Sequence, residues 1–473
     1  MAHREVESLY DEVLHDYEAA YHPNPGLKSI IKEAVNSLPP HAQVLDVGCG
    51  TGQPATEALT AAGCEVTGID LSNKMVELCR KRYPGTFIKA DMTRYYPEQK
   101  FDAIFAVFSL FHVSHRQCYS LLFKFSEWLR QDGLLFIGTI YSDDLVSRGL
   151  VPDENGIMDL LDLRFMHRNV PLTTLPFPVW TSYLTAAGFR DIQSQSRDFK
   201  PHDPTMPISP HSFITATKGS FHPLMGPYPL PDPIRQPTLT RKSILKSFDE
   251  HLVDVEHREV KGILKENTIF LTIGNDQTGK TGVTGQQMFS FDHSTNVALP
   301  FPDGHFDAVV VTWGLERVKD INQAMAEILR VMNATAPGAK IIIIQAAPDN
   351  DVVKLVNKVC APLSSSDKTP IHHGAVLNQA SEVLKTNGFG DIELRRVYTD
   401  SACDFSKEFQ SQSNGCAAAE AAAELLSALY YDGDSNLSAM QEAFVPALQT
   451  HVKESPYKVG TQSVMIIAKP VNI

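Results

Sequence analysis

The segment from Gln43 to Pro54 has the sequence QVLDVGCGTGQP, and it constrains the fold of this chain more than any other feature. A short aliphatic run leads into three glycines at alternate positions, and a proline follows where the first turn of a helix tolerates it. Glycine permits the positive φ angles of a tight turn and lets the backbone approach a ligand closely. The segment therefore predicts a strand, a glycine turn and a helix, the unit found in nucleotide-binding α/β folds.

Apolar runs alternate with helix-like segments on both sides of this unit. In the first half we predict strands at 43–47, 65–69, 101–105, 134–139 and 213–217. Strands separated by helices favour a parallel, doubly wound α/β sheet. In the second half we predict strands at 268–273, 308–312, 340–345 and 463–469, a helix at 321–332 and an alanine-rich helix at 416–431.

The two halves also resemble each other locally. FDAIFAVFSLFHV at 101–113 parallels FDAVVVTWGLERV at 306–318, and a helix and a strand are predicted after each. Between the halves, prolines are concentrated at 221–237. Proline lacks a backbone N–H donor and favours an extended chain. We therefore expect two domains, 1–218 and 238–473, joined by a linker at 219–237, with the α/β fold present twice.

Composition excludes several classes of partner. The net charge of −13 and the lack of any Lys/Arg cluster disfavour nucleic acid. The start of the chain has no apolar signal region and the longest aliphatic run, 341–344, is too short for a bilayer, so we expect a cytoplasmic protein without membrane contact. The seven cysteines are scattered without C-x-x-C spacing, which predicts neither disulfides nor a metal site.

Acidic residues lie at the ends of two predicted strands and after a third, short extended run. Asp46 ends the first strand and suits a cationic or amine-bearing ligand, and Asp70 ends the second at the spacing of a ribose-binding carboxylate. Asp91 follows a third extended run and would accept from an adenine amine, with Met92 covering the ring. A dinucleotide fingerprint would need a glycine where Gln53 stands, so NAD is disfavoured.

Together D-V-G-C-G-T-G, G-I-D-L-S, K-A-D-M and F-D-A-I-F resemble the class I S-adenosylmethionine (SAM) dependent methyltransferase family over about residues 1–217. The resemblance implies a Rossmann-like fold and SAM as cofactor. It also implies an N-terminal helix that closes over the cofactor, in the segment Tyr10 to Glu18. The cofactor-binding residues that it implies are Tyr17, Asp46, Gly48, Gly50, Gly52, Asp70, Leu71, Met75, Asp91, Met92 and Phe108.

The acceptor site is expected at the rim after the strand at 101–105. His112 is the candidate catalytic base there, with a positioning role as the alternative. Tyr10 and Tyr21 would line the acceptor side of the N-terminal helix. In the excursion at 142–189, which we expect to cap the pocket, Arg164, His167 and Arg168 would bind a carboxylate unless they are solvated surface charges.

The second half lacks several of these features. Thr272 stands in the place of Asp46 and Arg317 in that of His112, and the interval before Asp307 is too short for the acidic second strand. FSFD at 289–292 resembles the third strand instead. We therefore expect a truncated, degenerate copy without a SAM site. GNDQTGKT at 274–281 fits a phosphate-binding loop, but GVTGQQ after it is a poor helix, so nucleotide hydrolysis is disfavoured.

These features predict methyl transfer to a small-molecule acceptor, preferably O-methylation of a carboxyl or hydroxyl group, as in fungal small-molecule methyltransferases that the chain resembles. The second domain would shape the acceptor pocket, form a lid or mediate a homodimer. Two alternatives remain open. The second domain would itself catalyse an isomerisation or cyclisation, or the chain would be a SAM-binding regulator or scaffold without turnover.

Overall fold

A computed structural model of the chain divides into two compact units, Met1–Pro223 and Leu224–Ile473. The predicted linker at 219–237 lies outside the described residues beyond Ser220, and GNDQTGKT at 274–281 does so beyond Gly274. The predicted domain limits therefore stay predictions. The structure describes residues 2–21, 24–153, 155–165, 168–200, 209–220, 256–264, 268–274, 286–289, 298–318, 320–347, 351–397, 402–404, 415–451, 458–460 and 463–471.

The first unit is a seven-stranded α/β sheet with the strand order β3-β2-β1-β4-β5-β9-β8. Strands β3 to β5 run parallel, and β9 and β8 complete the sheet antiparallel. Its elements are α1 (Ala2–Tyr21), α2 (Pro25–Asn36), β1 (Gln43–Val47), α3 (Ala55–Ala61), β2 (Glu65–Asp70), α4 (Asn73–Arg82), β3 (Thr86–Lys89), β4 (Phe101–Val107), α5 (His115–Trp128), β5 (Leu129–Thr139), α6 (Ser142–Val146), β6 (Met158–Phe165), β7 (Arg168–Thr174), α7 (Phe177–Ala186), β8 (Phe189–Phe199) and β9 (Ser209–Lys218).

The five strands predicted for this half are all present. Central strands such as β1 and β4 are almost wholly buried because helices cover both faces of a parallel sheet. Strand β5 is longer than predicted, since it begins at Leu129 and continues through Asp132, whose φ is +61°. The excursion at 142–189 contains the antiparallel hairpin β6–β7, which the sequence analysis did not identify.

The second unit repeats this architecture with six strands in the order β11-β10-β12-β13-β17-β14. Its elements are a helix at 256–263 (α8), β10 (Phe270–Gly274), β11 (Gln286–Phe289), β12 (Ala308–Thr312), α9 (Ile321–Val331), β13 (Lys340–Ala346), α10 (Asp351–Val359), α11 (His373–Thr386), β14 (Phe389–Val397), β15 (Ala402–Asp404), α12 (Gly415–Tyr431), α13 (Leu437–His451), β16 (Lys458–Gly460) and β17 (Ser463–Pro470). The prediction of two Rossmann-like sheets is confirmed, and in the described residues the second sheet has no counterpart of β3.

One detail of the second sheet differs from the prediction. Strand β11 pairs in parallel with β10 and therefore occupies the position of β2, the strand that we expected to be missing. Its last residue, Phe289, belongs to the FSFD segment that we compared with the third strand. The position of β11 in the sheet is defined by its pairing with β10. The sequence of so short a strand does not show which strand it will pair with.

The echo between the halves extends to backbone geometry. Phe108 after β4 and Trp313 after β12 both have positive φ, at +54° and +51°, which is unusual for aromatic residues. Each precedes a single 3₁₀ turn, at Leu110–His112 and at Leu315–Arg317. The two halves thus share the same turn at the carboxyl edge of the sheet.

Within the described ranges, no helix combines the length and apolar character needed to cross a bilayer.

Candidate functional site

A cleft of about 820 Å³, open mouth included, lies at the carboxyl edge of the parallel strands of the first unit. In open α/β sheets ligands bind at this edge, beside the point where the strand order reverses. We call this cleft the first cavity. It is lined by Val6, Glu7, Tyr10, Gly48, Gly50, Ile69, Asp70, Leu71, Ser72, Met75, Ala90, Asp91, Met92, Val107, Phe108, Ser109, His112 and Val113. The structure thus brings together ten of the predicted site residues.

The glycine turn after β1 forms the floor of this cavity. Gly48 has a φ of +74°, and a Cβ placed on it would lie 2.4 Å from the Cβ of Ser109. The Ser109 hydroxyl donates to the carbonyl oxygen of Val47 at 2.6 Å and so holds β4 against the turn. Gly52 does not line the cavity; it permits close packing against Tyr83, the residue that follows α4. Only glycine fits both positions.

Asp70 is bound to the glycine turn. Its two carboxylate oxygens accept from the backbone N–H groups of Gly50 at 2.9 Å and Ser72 at 2.8 Å. Burial raises the pKa of this carboxyl above its ordinary value, and these backbone donors oppose the rise. A carboxylate has about four acceptor positions, so the pair of oxygens can still accept ribose hydroxyls. The side chain is therefore placed to bind a ribose while holding the turn.

Asp46 is buried beneath the same turn. The hydroxyl of Thr56 on α3 donates to its carboxylate at 2.6 Å. Burial is the largest influence and raises the pKa of Asp46 to about 7. Asp46 lines a second cavity, described below, and not the first. Its charge therefore changes near neutral pH, where an ammonium group nearby would favour the ionised form.

Asp91 and Met92 follow β3 at the far side of the first cavity. One carboxylate oxygen of Asp91 accepts from the backbone N–H of Thr93 at 2.9 Å and from its hydroxyl at 2.7 Å. These bonds fix the loop, and both Asp91 and Met92 line the cavity. With Leu71 and Met75 they form a mixed polar and apolar wall of this cavity.

Helix α1 covers the first cavity. Val6, Glu7 and Tyr10 contribute to the lining. The helix is held by ion pairs from Glu7 to Lys89 and from Glu18 to Arg82. Leu9 and Val13 pack with Val170 of the β6–β7 hairpin, so the hairpin that we did not predict supports the cover. The side chains of Tyr17 and Tyr21 lie outside the described residues.

His112 lies beneath α1. Its Nε2 is 2.7 Å from the Tyr10 hydroxyl, and the rings meet edge to face. Burial lowers the pKa of His112 to about 4, and the carbonyl group of Pro171 opposes this to a smaller extent. That carbonyl is not in hydrogen-bond geometry with Nδ1, which is buried without a partner among the described residues. His112 is therefore neutral at physiological pH.

The predicted carboxylate-binding residues of the excursion are only partly described. Arg168 begins β7 and forms an ion pair with Glu12 of α1, and both side chains are about half exposed. It does not line either cavity. The side chain of Arg164 and the whole of His167 lie outside the described residues. For Arg168 the structure thus shows a contact that holds α1.

The second cavity of the first unit, about 630 Å³ with its mouth, shares Gly48, Gly50, Val107 and Phe108 with the first. Its other lining residues are Glu18, Asn24, Leu27, Asp46, Cys49, Thr51, Gln53, Pro54, Ala55 and His211. The two cavities therefore meet over the glycine turn and Phe108. Asn24 and His211 were not among the predicted site residues, although an asparagine before Pro25 is a recognisable helix start.

In the second unit the corresponding edge is filled by side chains. Trp313, the counterpart of Phe108, is buried and donates its indole N–H to Glu256 at 3.1 Å. It belongs to an apolar cluster formed mainly by α10, α12 and α13, which includes Leu426, Met440 and Phe444. Thr272 is buried in β10, and the Arg317 side chain lies outside the described residues. No metal-binding group of three acids, histidines or cysteines occurs among the residues described.

Comparison with known families gives one match in each unit. The family described as a methyltransferase domain matches residues 44–133, and a second family with the same description matches residues 270–343. The first match contains the glycine turn, Asp70, Asp91 and His112. The expected cofactor, SAM, agrees with this match.

Several curated methyltransferases are similar over part of the first unit. The chain is 32% identical to ubiquinone/menaquinone biosynthesis C-methyltransferase UbiE of Shewanella halifaxensis, over 19% of this chain and 34% of that protein. It is 40% identical to (S)-coclaurine N-methyltransferase of Papaver somniferum, over 20% and 28%. An O-methyltransferase of Aspergillus nomiae is 32% identical over 21% and 48%. The chain thus spans between about a quarter and a half of these relatives.

Among solved structures, magnesium protoporphyrin IX methyltransferase of Synechocystis PCC 6803 with bound SAM is similar with a TM-score of 0.34 and 15% identity, over 46% of this chain and 98% of that chain. The two family matches and the cavity of the first unit agree with the sequence motifs. Each unit of this chain therefore contains a segment that matches a methyltransferase-domain family.

Proposed function

We propose that the first unit binds SAM and transfers its methyl group to an oxygen of a small-molecule acceptor. One observation carries this proposal: Asp70, Asp91 and the glycine turn line a single cavity that α1 covers. When bound, SAM supplies an electrophilic methyl group on a sulfonium. The chain supplies position and exclusion of water, which account for most of the rate enhancement in such a displacement.

The donors and acceptors of the cavity suit the parts of this cofactor. Asp70 has acceptor capacity for the ribose hydroxyls, and Asp91 with Met92 faces the space for an adenine. At Gly50 no atom lies within 4 Å of the point that a Cβ would occupy, and this open space in the cavity that Asp46 also lines admits the amino-acid end. Phe108 lies between the two cavities and is placed to separate cofactor from acceptor.

His112 remains our candidate catalytic residue, together with Tyr10. Because its pKa is about 4, the ring is neutral and can accept a proton, but it is a weak base. A weak base suits an acceptor that needs little deprotonation. In the same arrangement the hydrogen bond to the Tyr10 hydroxyl fixes α1 over the site. The proposed acceptor role of Arg164, His167 and Tyr21 stays a prediction, as do a homodimer and a cytoplasmic location.

The alternatives for the second unit gain no support from its described residues. The edge at which an isomerase or cyclase site would form is occupied by the cluster around Trp313. A regulator without turnover would need a closed acceptor pocket, whereas the second cavity of the first unit is open. We therefore assign catalysis to the first unit and a supporting role to the second.

Replacement of Asp70 by asparagine tests the cofactor site. We expect the whole chain to bind one SAM, and Asp70→Asn to weaken binding by roughly 10- to 100-fold, because a charged acceptor of hydrogen bonds is lost. Isothermal titration calorimetry gives both the stoichiometry and the affinity. Asp143→Asn, at an exposed acid on α6, is the control and should bind SAM normally. Equal affinities of the two variants would contradict the proposed function.

The ionisation of Asp46 predicts a pH dependence of SAM binding. The free site has a pKa near 7, and the ammonium group of SAM favours the carboxylate, so binding below this pH must release a proton. Affinity should therefore fall as pH drops from 8 to 6, by up to about tenfold per pH unit below 7. In Asp46→Asn, titrated over the same range, the affinity should be lower and almost independent of pH. An unchanged slope in this variant would exclude Asp46.

A further inference from the structure

The second cavity contains a histidine whose hydrogen bonds are fixed by its neighbours. His211 lies near the start of β9 and is 4% exposed. Its ring packs between Phe108 and Phe199, with centroid distances of 4.4 and 4.9 Å. Its Nδ1 is 3.1 Å from the side-chain nitrogen of Asn24, which is also buried. Position and orientation of the ring are thus set on three sides.

The network assigns the proton of this ring. The Asn24 side-chain oxygen accepts the N–H of Leu27 at 2.9 Å, as the N-cap of α2. The Asn24 amide group must therefore present its NH₂ to His211, and Nδ1 must accept. The single proton of the neutral ring then lies on Nε2. Burial lowers the pKa of His211 to about 4, so this neutral form persists at physiological pH.

This leaves one donor for a ligand. Nε2–H has no partner among the residues that the structure describes, and His211 lines the second cavity. A ring N–H at the wall of a cavity can donate to a ligand or a water that enters the cavity. We propose that the His211 side of the second cavity, away from Asp46, is the acceptor site and that His211 donates its Nε2–H to one oxygen of a small carboxylic acid, which is methylated on the other. This inference rests on the proposed function.

The strand order separates this donor from the amino-acid end of the cofactor. Strands β4 and β5 lie between β1 and β9, and three strand spacings of roughly 4.8 Å amount to about 14 Å. Ser212, next to His211, pairs with Thr139 at the carboxyl end of β5. His211 therefore faces the glycine turn across the cavity, on the side where an acceptor would approach the methyl group past Phe108.

The chemistry of the site favours a carboxylate over a hydroxyl. A phenol, with an ordinary pKa near 10, must lose its proton, and His112 is far too weak a base to remove it in full. A carboxylate is already ionised. One of its oxygens forms the new bond to the methyl carbon, the carbon–sulfur bond breaks, and its electron pair stays on sulfur. The anion and the sulfonium become a neutral ester and a thioether, and no proton moves.

The acidic residues of the second cavity do not oppose this ligand. Glu18 is engaged in an ion pair with Arg82. Asp46 lies on the β1 side and accepts from Thr56. The apolar residues Phe108, Val107 and Leu27 also line this cavity, and Phe108 contacts the His211 ring. An aromatic or aliphatic acid with a flat apolar body therefore fits better than a highly charged one.

The test uses the whole chain, SAM labelled in its methyl group, and benzoate, salicylate and cinnamate, each paired with its amide and alcohol analogue. We expect label transfer to the acids alone, in a product that releases volatile methanol in base, as methyl esters do. His211→Phe keeps the ring stacking but removes the donor. It should raise KM for the acid by roughly 10- to 100-fold with SAM affinity unchanged. His211→Gln, which keeps a donor, should recover part of the loss.

His305→Phe is the matched control, since this exposed histidine of the second unit also packs against a phenylalanine, Phe306. It should leave KM unchanged. Transfer only to the alcohols or amides, SAM binding without transfer to any acid, or an unaltered KM in His211→Phe would each overturn the carboxylate assignment and leave the cofactor site intact. Loss of SAM affinity in His211→Phe would mean that His211 binds the cofactor and not the acceptor, and would overturn the carboxylate assignment as well. Absence of SAM binding by the unmodified chain would instead overturn the proposed function.

Discussion

Gly48→Ala should abolish measurable SAM binding, with a loss of affinity of more than about 100-fold, or roughly 2.7 kcal/mol. Two costs coincide at this position. An alanine at φ +74° is strained by about 1–2 kcal/mol. Its Cβ would also lie 2.4 Å from the Cβ of Ser109, and relief of such overpacking costs a further 1–3 kcal/mol or so. The turn must move, and with it the floor of the first cavity.

Gly63→Ala separates the two costs. Gly63 has a similar φ of +79°, but no atom lies within 4 Å of the point that a Cβ would occupy there. This variant should lose about 1 kcal/mol of unfolding free energy and bind SAM normally. The double variant Gly48→Ala with Ser109→Gly removes the clash and should recover part of the affinity, although the bond from Ser109 to the Val47 carbonyl is lost. Calorimetric titration and denaturant unfolding measure both quantities. Normal SAM binding by Gly48→Ala would contradict the assignment of the turn.

The sequence predicted those parts of the molecule that depend on local pattern. Central parallel strands such as β12 and β13 are almost continuous aliphatic runs, because they are buried on both faces, and such runs are visible without a structure. The glycine turn and the aspartates after β2 and β3 were also found, since each residue type has a local backbone or chemical reason to occur there. Ten of the predicted site residues consequently line one cavity.

What depends on long-range pairing was not predicted. His211 meets Asn24 across 187 positions of the chain, and neither residue alone suggests a donor in a cavity. The β6–β7 hairpin carries polar residues on both strands, so its pattern is weak. Strand β11 was placed wrongly because only its pairing with β10 fixes its position in the sheet. In each case the contact that determines the structure joins residues that are far apart in the sequence.

The second unit shows how a similar sheet can lose its cavity. In the first unit Phe108 borders open space, whereas Trp313 at the same turn is covered by α12 and α13. The alanine-rich helix that the sequence predicted at 416–431 is α12. In the structure Leu426 and Leu429 are buried in this cluster. These helices stabilise the second unit at the edge where the first unit has its site.

Phe444→Ala should therefore destabilise the second unit without affecting SAM. Phe444 on α13 is fully buried, and truncation of a buried phenylalanine costs about 3–5 kcal/mol because a cavity remains. For a unit of this size, that corresponds to a decrease in Tm of roughly 10 °C. The exposed Leu363→Ala in the same unit is the control, and its effect should stay below about 1 kcal/mol.

Scanning calorimetry with and without SAM distinguishes the two units. A ligand raises the Tm of the unit that binds it, so saturating SAM should raise one transition and leave the other unchanged. We expect the transition lowered by Phe444→Ala to be the one that SAM does not move, and the stoichiometry of binding to stay at one. If SAM instead raised the transition that Phe444→Ala lowers, the cofactor would bind the second unit, and the packing of α12 and α13 over Trp313 would have to open to admit it.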